Sequence, residues 1–373
     1  MTAGALQRAP ARRSVRGLLD RFLTEGNGAI FIALLGLIVF FTIASPDQAF
    51  ISPFAVRSMV LAGASIAIVA VGATFVLIAG QIDLSIGSTI VLSGVVGIDV
   101  ITRLVNAGLG EPIAIAAGAL TVLIVGSLVG LANGLLVTRL RIPSFIVTLG
   151  MLGIALGIAQ LISVGPLSQQ VPRSMNEQIG RGSLFGIPYP VLIAAGVAIV
   201  GWIVLSQTKF GLACYAAGSN KEAARRAGLP VNRLIITVFM VMGICAGIGA
   251  FIDMARFTTV NVAGYTNTAL AAISAVIIGG TSLFGGRGSI SGTIVGVSIP
   301  VVLLSGLVIL GVDPFWQNIV IGAMLILAVA FDQFQRERLS RGIDSGSAGA
   351  EPPQPPGHPS ATPSSDGGPT QPA

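Results

Sequence analysis

Apolar runs of about twenty residues recur along this chain, at 28–44, 57–80, 84–104, 112–137, 144–164, 190–207, 234–257, 268–285, 289–310 and 315–332. Short polar segments separate them. About 20 apolar residues, rising ~1.5 Å each, cross the ~30 Å hydrocarbon core of a bilayer as a helix. A helix also satisfies its own backbone hydrogen bonds where no water is available. The pattern therefore predicts an all-α polytopic integral membrane protein with about ten transmembrane helices. Two runs differ from the others. The first follows a basic stretch, as a signal peptide's apolar core does, but it is long for one and has no clear small-residue cleavage site, so it reads as an uncleaved helix. The run 268–285 is short and glycine-rich, which predicts a broken or re-entrant segment.

Charge orients the pattern. With the N-terminus in the cytoplasm, 16 of the 21 basic residues fall inside: five in residues 1–27, Arg139 and Arg141, five in the loop 208–233, Arg287, and Arg336, Arg338 and Arg341. Arg57, Arg103, Arg173, Arg181 and Arg256 fall outside. This is the positive-inside bias, and it places both termini in the cytoplasm. It also accounts for the net charge of +6 without a nucleic-acid partner. Three regions follow: a basic N-terminus, 1–27; a transmembrane domain, 28–332; and a mostly disordered Pro-, Gly- and Ser-rich tail, 333–373.

Composition narrows the chemistry. The chain is 53% hydrophobic and 10% charged, with mean hydropathy +0.88. Its only histidine, His358, lies in the tail, and Cys214 and Cys245 have neither metal nor disulfide spacing. No catalytic residue, metal ligand or bound cofactor is expected. Neither Lys209 nor Lys221 follows a glycine, so no phosphate-binding loop is present. An active transporter built on this chain would need its energy source in another subunit.

The 208–233 loop carries a short helix signal. Asn220 is a candidate N-cap, Glu222 suits the first turn, Arg225 and Arg226 suit the last, and Gly228 and Pro230 stop it. It reads either as a solvated surface helix or as a helix that docks into a cytosolic partner. Glu222-Ala223-Ala224 followed by Gly228 resembles the EAA-and-glycine signature of ABC importer permeases. Three further stretches resemble the ribose/xylose-type monosaccharide branch: Ile82-Asp83-Leu84-Ser85-Ile86-Gly87-Ser88, Arg141-Ile142-Pro143-Ser144-Phe145-Ile146-Val147-Thr148-Leu149-Gly150, and Gly279-Gly280-Thr281-Ser282-Leu283-Phe284-Gly285-Gly286-Arg287-Gly288-Ser289. They stand in the family's order over residues 57–330. The resemblance implies a permease subunit of an ATP-binding-cassette importer, multi-pass in a bacterial inner (plasma) membrane. Its partners would be a cytosolic ATPase that uses ATP and Mg, an extracytoplasmic sugar-binding protein and a second permease copy. It also assigns ATPase coupling to Asn220, Glu222, Ala223, Ala224, Arg225 and Gly228. The chain departs from the family at Gln81, usually glycine, and at the uncharged Thr266-Asn267-Thr268, where an acidic residue is common; the second departure bears on which sugar is taken.

Candidate path residues are polar groups in apolar runs: Asp83, Asn133, Thr148, Gln160, Thr281 and Ser282, with Ser163 beside them. Asp83 reads either as part of a helix cap or as a gating or path residue. Asp99 is open between a path and a structural role. Asp253 and Arg256, three apart on one helix, read as a structural pair near the outer interface. Gly126, Gly130 and Gly134 form one small-residue face, and Gly288, Gly292 and Gly296 another, both suited to close helix packing. An ion-coupled secondary carrier of a small polar solute is the competing reading, since such carriers also use acids and broken helices.

Overall fold

The computed structural model describes residues 28–163, 171–260 and 265–347. The basic N-terminus, and the tail beyond Ser347 with His358, lie outside the described residues. In chain order the helices are α1 (Gly28–Ala44), α2 (Pro53–Ile78), α3 (Ile86–Asn106), α4 (Glu111–Arg139), α5 (Ser144–Ser163), α6 (Tyr189–Gln207), α7 (Lys209–Ser219), α8 (Lys221–Arg226), α9 (Val231–Phe257), α10 (Thr266–Ile278), α11 (Ile290–Ile309) and α12 (Pro314–Ser347). Among the described residues, strand is confined to a hairpin of two two-residue strands, β1 (Ser183–Leu184) and β2 (Ile187–Pro188). The protein is an all-α polytopic membrane protein: among the described residues, eight helices are long and apolar enough to cross a bilayer.

Local sequence starts and stops these helices. Ser52 caps α2 by accepting from the Ala55 N–H, and Pro53 supplies the preset first turn. Glu111 opens α4 and Arg139 closes it, each charge suiting its end of the helix dipole. The run 268–285 is broken, as its short glycine-rich pattern suggests: α10 is a 13-residue helix, roughly 20 Å long, that ends at Ile278. Gly279 follows, and Gly280 turns the chain at φ +86°, so residues 279–289 are a loop. A second break separates α2 from α3. Gly80, at φ +69°, leads into an irregular segment through Ser85. The pattern also missed α7, whose buried residues Gly211, Cys214 and Ala217 recur every three positions along a short helix.

Packing is layered by enclosure. Residues of α2, α3 and α9 are mostly buried inside the protein, whereas α5, α6 and the α12 span turn most of their surface outward. Glycines set the closest approach. A Cβ on Gly126 would lie 2.1 Å from the Gly243 carbonyl oxygen, and one on Gly130 would lie 2.2 Å from the Phe239 carbonyl oxygen. A Cβ on Gly134 would lie 2.7 Å from Ile236 Cα. These three glycines therefore lie against the α9 backbone. Gly292 and Gly296 stand equally close to the carbonyls of Gly279 and Ala275, seating α11 on α10. Gly288 is corrected: it precedes α11, at φ +148°, and is not on that helix face.

Two opposite faces result. On one, residues 79–85, the α4–α5 turn, the α7–α8 region and loop 279–289 meet. On the other, Arg57 donates to the Arg181 carbonyl at 2.8 Å, Val171 N–H to the Thr258 carbonyl, and Asn176 to the Ala255 carbonyl. Arg139, Arg141, Lys221, Arg225 and Arg287 belong to the first face, and Arg57, Arg173, Arg181 and Arg256 to the second. The chain forms two units, Met1–Asp332 and Gln333–Ala373. Within the second, the helix continues to Ser347.

Candidate functional site

The basic face is built around the loop helices. Thr208 caps α7 through its hydroxyl, which accepts from the Gly211 N–H. Asn220 ends α7 and begins α8; its Oδ1 accepts from the Ala223 N–H at 2.9 Å. Ala224 is the buried residue of α8, while Glu222, Ala223, Arg225 and Arg226 are exposed. Gly228, at φ +83°, turns the chain away. The Glu222–Arg226 pair, 3.7 Å apart and exposed on both sides, adds little stability. Arg225 donates to Asn232 Oδ1 at 3.0 Å, tying α8 to the first turn of α9. A cavity of about 840 Å³ lies behind, lined by Gln81, Arg139, Arg141, Lys221, Arg225 and Asn232. Partial burial, and then the charge of Arg225, lower the Lys221 pKa. Burial pushes the Cys214 thiol up to about 12, so it stays an unreactive packing group. Asn220→Ala removes the cap, worth about 1 kcal/mol, and is expected to speed hydrogen exchange of the α8 amides about fivefold. Unchanged exchange would show that α8 does not depend on this cap.

The loop helices reach the broken spans through a glycine junction. A Cβ on Gly218 would lie 1.8 Å from the Ile78 carbonyl oxygen and 2.6 Å from Gly286 N. That N–H donates to the same Ile78 carbonyl at 2.9 Å. A Cβ on Gly285, at φ +85°, would lie 2.8 Å from Gly80 Cα. Tyr215 of α7 donates its hydroxyl to the Gly288 carbonyl at 2.8 Å. Three backbone segments thus touch without intervening side chains: the end of α7, the end of α2 and loop 279–289. Asp332 closes the loop from another side, accepting from the Ser282 hydroxyl and the Leu283 N–H, both at 3.1 Å.

The 79–85 break holds a buried polar chain. Asp83 Oδ1 accepts from the Ser85 N–H at 2.8 Å and from the Ser85 hydroxyl at 2.6 Å. Asn133 on α4 donates to that hydroxyl at 2.9 Å. Ser85 occupies the cap position of α3 but makes no side-chain cap bond, so Asp83 organises the turn before the helix. Ser144 accepts from the Ile82 N–H at 3.1 Å, and Thr148 donates to the Ser144 carbonyl at 2.9 Å. Asp83, Asn133 and Thr148 therefore belong to one neighbourhood, spanning the 79–85 break, α4 and the start of α5. The buried Asn133 Oδ1 and Thr281 Oγ1 have no partner among the described residues.

The remaining sequence candidates are scattered. Gln160 is exposed on α5, and the Ser163 hydroxyl folds back to the Ala159 carbonyl, so neither joins the polar chain. Thr281 and Ser282 lie in loop 279–289, Ser282 serving as a partner of Asp332. Asp99 pairs with the exposed Arg103 at 2.7 Å within α3. Asp253 and Arg256, 3.9 Å apart, lie at the opposite face. Sequence reasoning missed Gly80, Gly218, Tyr215 and Asp332 as a connected set. The one available signal was Asp332, an acid at the end of the last apolar run. Among the described residues, no cluster of His, Cys, Asp and Glu has the makings of a metal site.

Comparison with known proteins identifies relatives of the chain. A family model described as branched-chain amino acid transport system / permease component matches residues 55–329. The chain is 36% identical over 330 residues to the L-arabinose ABC transporter permease protein of Azospirillum brasilense, covering 88% of this chain and 93% of the relative. It is 35% identical over 307 residues to the ribose import permease protein of Escherichia coli strain K12, covering 81% and 92%. It is 34% identical over 328 residues to the fructose import permease protein of Rhizobium meliloti, covering 86% and 89%. No solved structure matches.

Proposed function

The chain belongs to the family of branched-chain amino acid transport system / permease components, and from that membership we propose that it is the membrane-spanning subunit of an ATP-driven sugar importer. It is a multi-pass protein of the bacterial inner membrane. Its similarity to arabinose, ribose and fructose permeases supports a monosaccharide as substrate. In this reading an extracytoplasmic binding protein delivers the sugar, two permease copies form the path, and a cytosolic ABC ATPase consumes ATP and Mg. The chain itself performs no chemistry. The basic face is cytoplasmic by the positive-inside rule.

The observation that carries this reading is the glycine junction. Helix α8 presents Glu222, Ala223 and Arg225 outward, while Gly218, just before it, rests on the ends of two broken spans. Close-packed backbone transmits displacement without compliance. A push on α8 by the ATPase would reach the Asp83–Ser85–Asn133 turn and the Thr281–Ser282 loop together, as a rigid-body shift. Those two breaks supply the path's polar groups near the cytoplasmic end.

Two substitutions test the coupling. Glu222→Lys reverses the outward charge, and Ala224→Pro deletes the Ala224 N–H that bonds the Asn220 carbonyl at 3.0 Å. Both are expected to abolish sugar uptake at unchanged membrane abundance. Normal uptake by both would remove the coupling role from this loop. Crosslinked purification from the native membrane is expected to recover a cytosolic ATPase and a secreted binding protein. Recovery of neither, from cells importing the solute, would move the assignment to an ion-coupled carrier.

A further inference from the structure

Three cavities on this protein differ in wall chemistry. One, of about 620 Å³ between α1, α2, α6 and α11, is almost wholly apolar and suits acyl chains. The basic cavity beside α8 suits anions. The third, of about 500 Å³, is bordered by α2, the end of α9 and the start of α10 on the face opposite the loop helices. Ser65, Asp253, Arg256, Phe257, Tyr265 and Thr268 line it.

We propose that this third cavity is a binding station for one sugar ring on its way into the protein, with Asp253 accepting from ring hydroxyls and Arg256 donating to them. The proposal rests on the sugar-importer reading and names a site for it.

The geometry is that of a partly open polar cluster. Ser65 donates to Asp253 Oδ2 at 3.0 Å, and Tyr265 is a further hydrogen-bond partner of the carboxylate. Arg256 donates one nitrogen to the Leu61 carbonyl at 3.0 Å. Asp253 Oδ1 and the guanidinium stand 3.9 Å apart, well beyond the ~2.7–2.9 Å of a closed charge-assisted hydrogen bond. Each therefore keeps capacity for a group placed between or beside them. Phe257, with the Arg256 guanidinium 4.8 Å from its ring centroid, is largely exposed. It offers a flat apolar surface to the C–H face of a sugar.

Acid, guanidinium, hydroxyls and an aromatic face together match a polyol, which carries donors and acceptors on its rim and C–H groups on its faces. The cavity lies within the ~300–1,000 Å³ range of small-molecule sites. An ionisable pair in an apolar span is costly and defaults to function. A purely structural tie would need no cavity, and apolar residues of similar volume would hold the helices as well.

The test uses the permease with its ATPase and binding protein, and measures uptake of D-ribose, L-arabinose, D-xylose and D-fructose. Asp253→Asn is expected to lower uptake about tenfold, the loss of a charged hydrogen bond, and to change the relative rates among the sugars moved. Thr268→Val is expected to shift those relative rates more mildly. Unchanged rates and order in both variants, at wild-type abundance, would overturn the subsite while leaving the importer assignment intact. The paired replacement Asp253→Leu/Arg256→Met separates a structural role: recovered uptake overturns the proposal, and continued loss at normal abundance supports it. A wild-type complex that moves none of the four sugars would overturn the importer reading and the subsite with it.

Discussion

Gly218→Val is expected to abolish sugar uptake while the protein still inserts and packs. Even the first carbon of the new side chain would lie 1.8 Å from the Ile78 carbonyl oxygen and 2.6 Å from Gly286 N. It would stand inside the hydrogen bond that joins those two atoms. Backbone cannot rotate away as a side chain can, so α7 must lift from the junction by roughly an ångström or more. Such overpacking costs about 1–3 kcal/mol locally. The membrane-spanning helices insert by their own length and apolarity, so abundance is expected to hold. In the proposed coupling, movement of α8 would then no longer reach the 79–85 and 279–289 breaks, and ATP hydrolysis by the proposed partner would lose its link to transport. The measurement is uptake and ATP hydrolysis in proteoliposomes containing the whole importer. Gly153→Ala, where an added Cβ meets nothing within 4 Å, serves as the control. Coupled transport by Gly218→Val would show that force reaches the path elsewhere.

The second large effect is expected at the α4–α9 contact, and it concerns stability. A Cβ on Gly126 would lie 2.1 Å from the Gly243 carbonyl oxygen, and one on Gly243 would lie 1.9 Å from the Gly126 carbonyl oxygen. Gly126→Ala and Gly243→Ala should each destabilise the protein by about 2–3 kcal/mol. Helix association in lipid has no hydrophobic drive to compensate, because the tails are as apolar as the helices; close packing supplies the attraction. The double variant should cost little more than either single one, since the first methyl already separates the helices. Unfolding in detergent measures all three. Additive losses would show that each glycine acts alone, which contradicts a shared close contact.

Periodicity was legible because each membrane helix meets its environment by itself. A run such as 112–137 must be apolar to face lipid, and its charges must sit at its ends, so composition alone places α4. Caps were legible for the same local reason: Asn220 binds an N–H three residues away. Glycine spacing marked the α4 face, though not its partner. Helix α7 escaped because it is short and lies outside the apolar runs. The end of α10 was blurred because Gly279 and Gly280 adjoin residues apolar enough to extend the pattern.

Sites that join distant segments were a different matter. Gln160 and Asn133 look equivalent in sequence, each a polar residue in an apolar run, yet Gln160 faces outward and Asn133 meets Ser85 across the fold. Asp332 and Ser282, or Gly218 and Ile78, stand far apart in the chain and touch only when folded. The sequence by itself determined an all-α membrane architecture, its charge asymmetry and the short capped helix α8, because those depend on neighbours along the chain and on the solvent. The tertiary structure alone decided which polar groups share a break, which glycines meet across the fold and where Asp253 finds a cavity, because those depend on helix rotation and register, which no local pattern encodes.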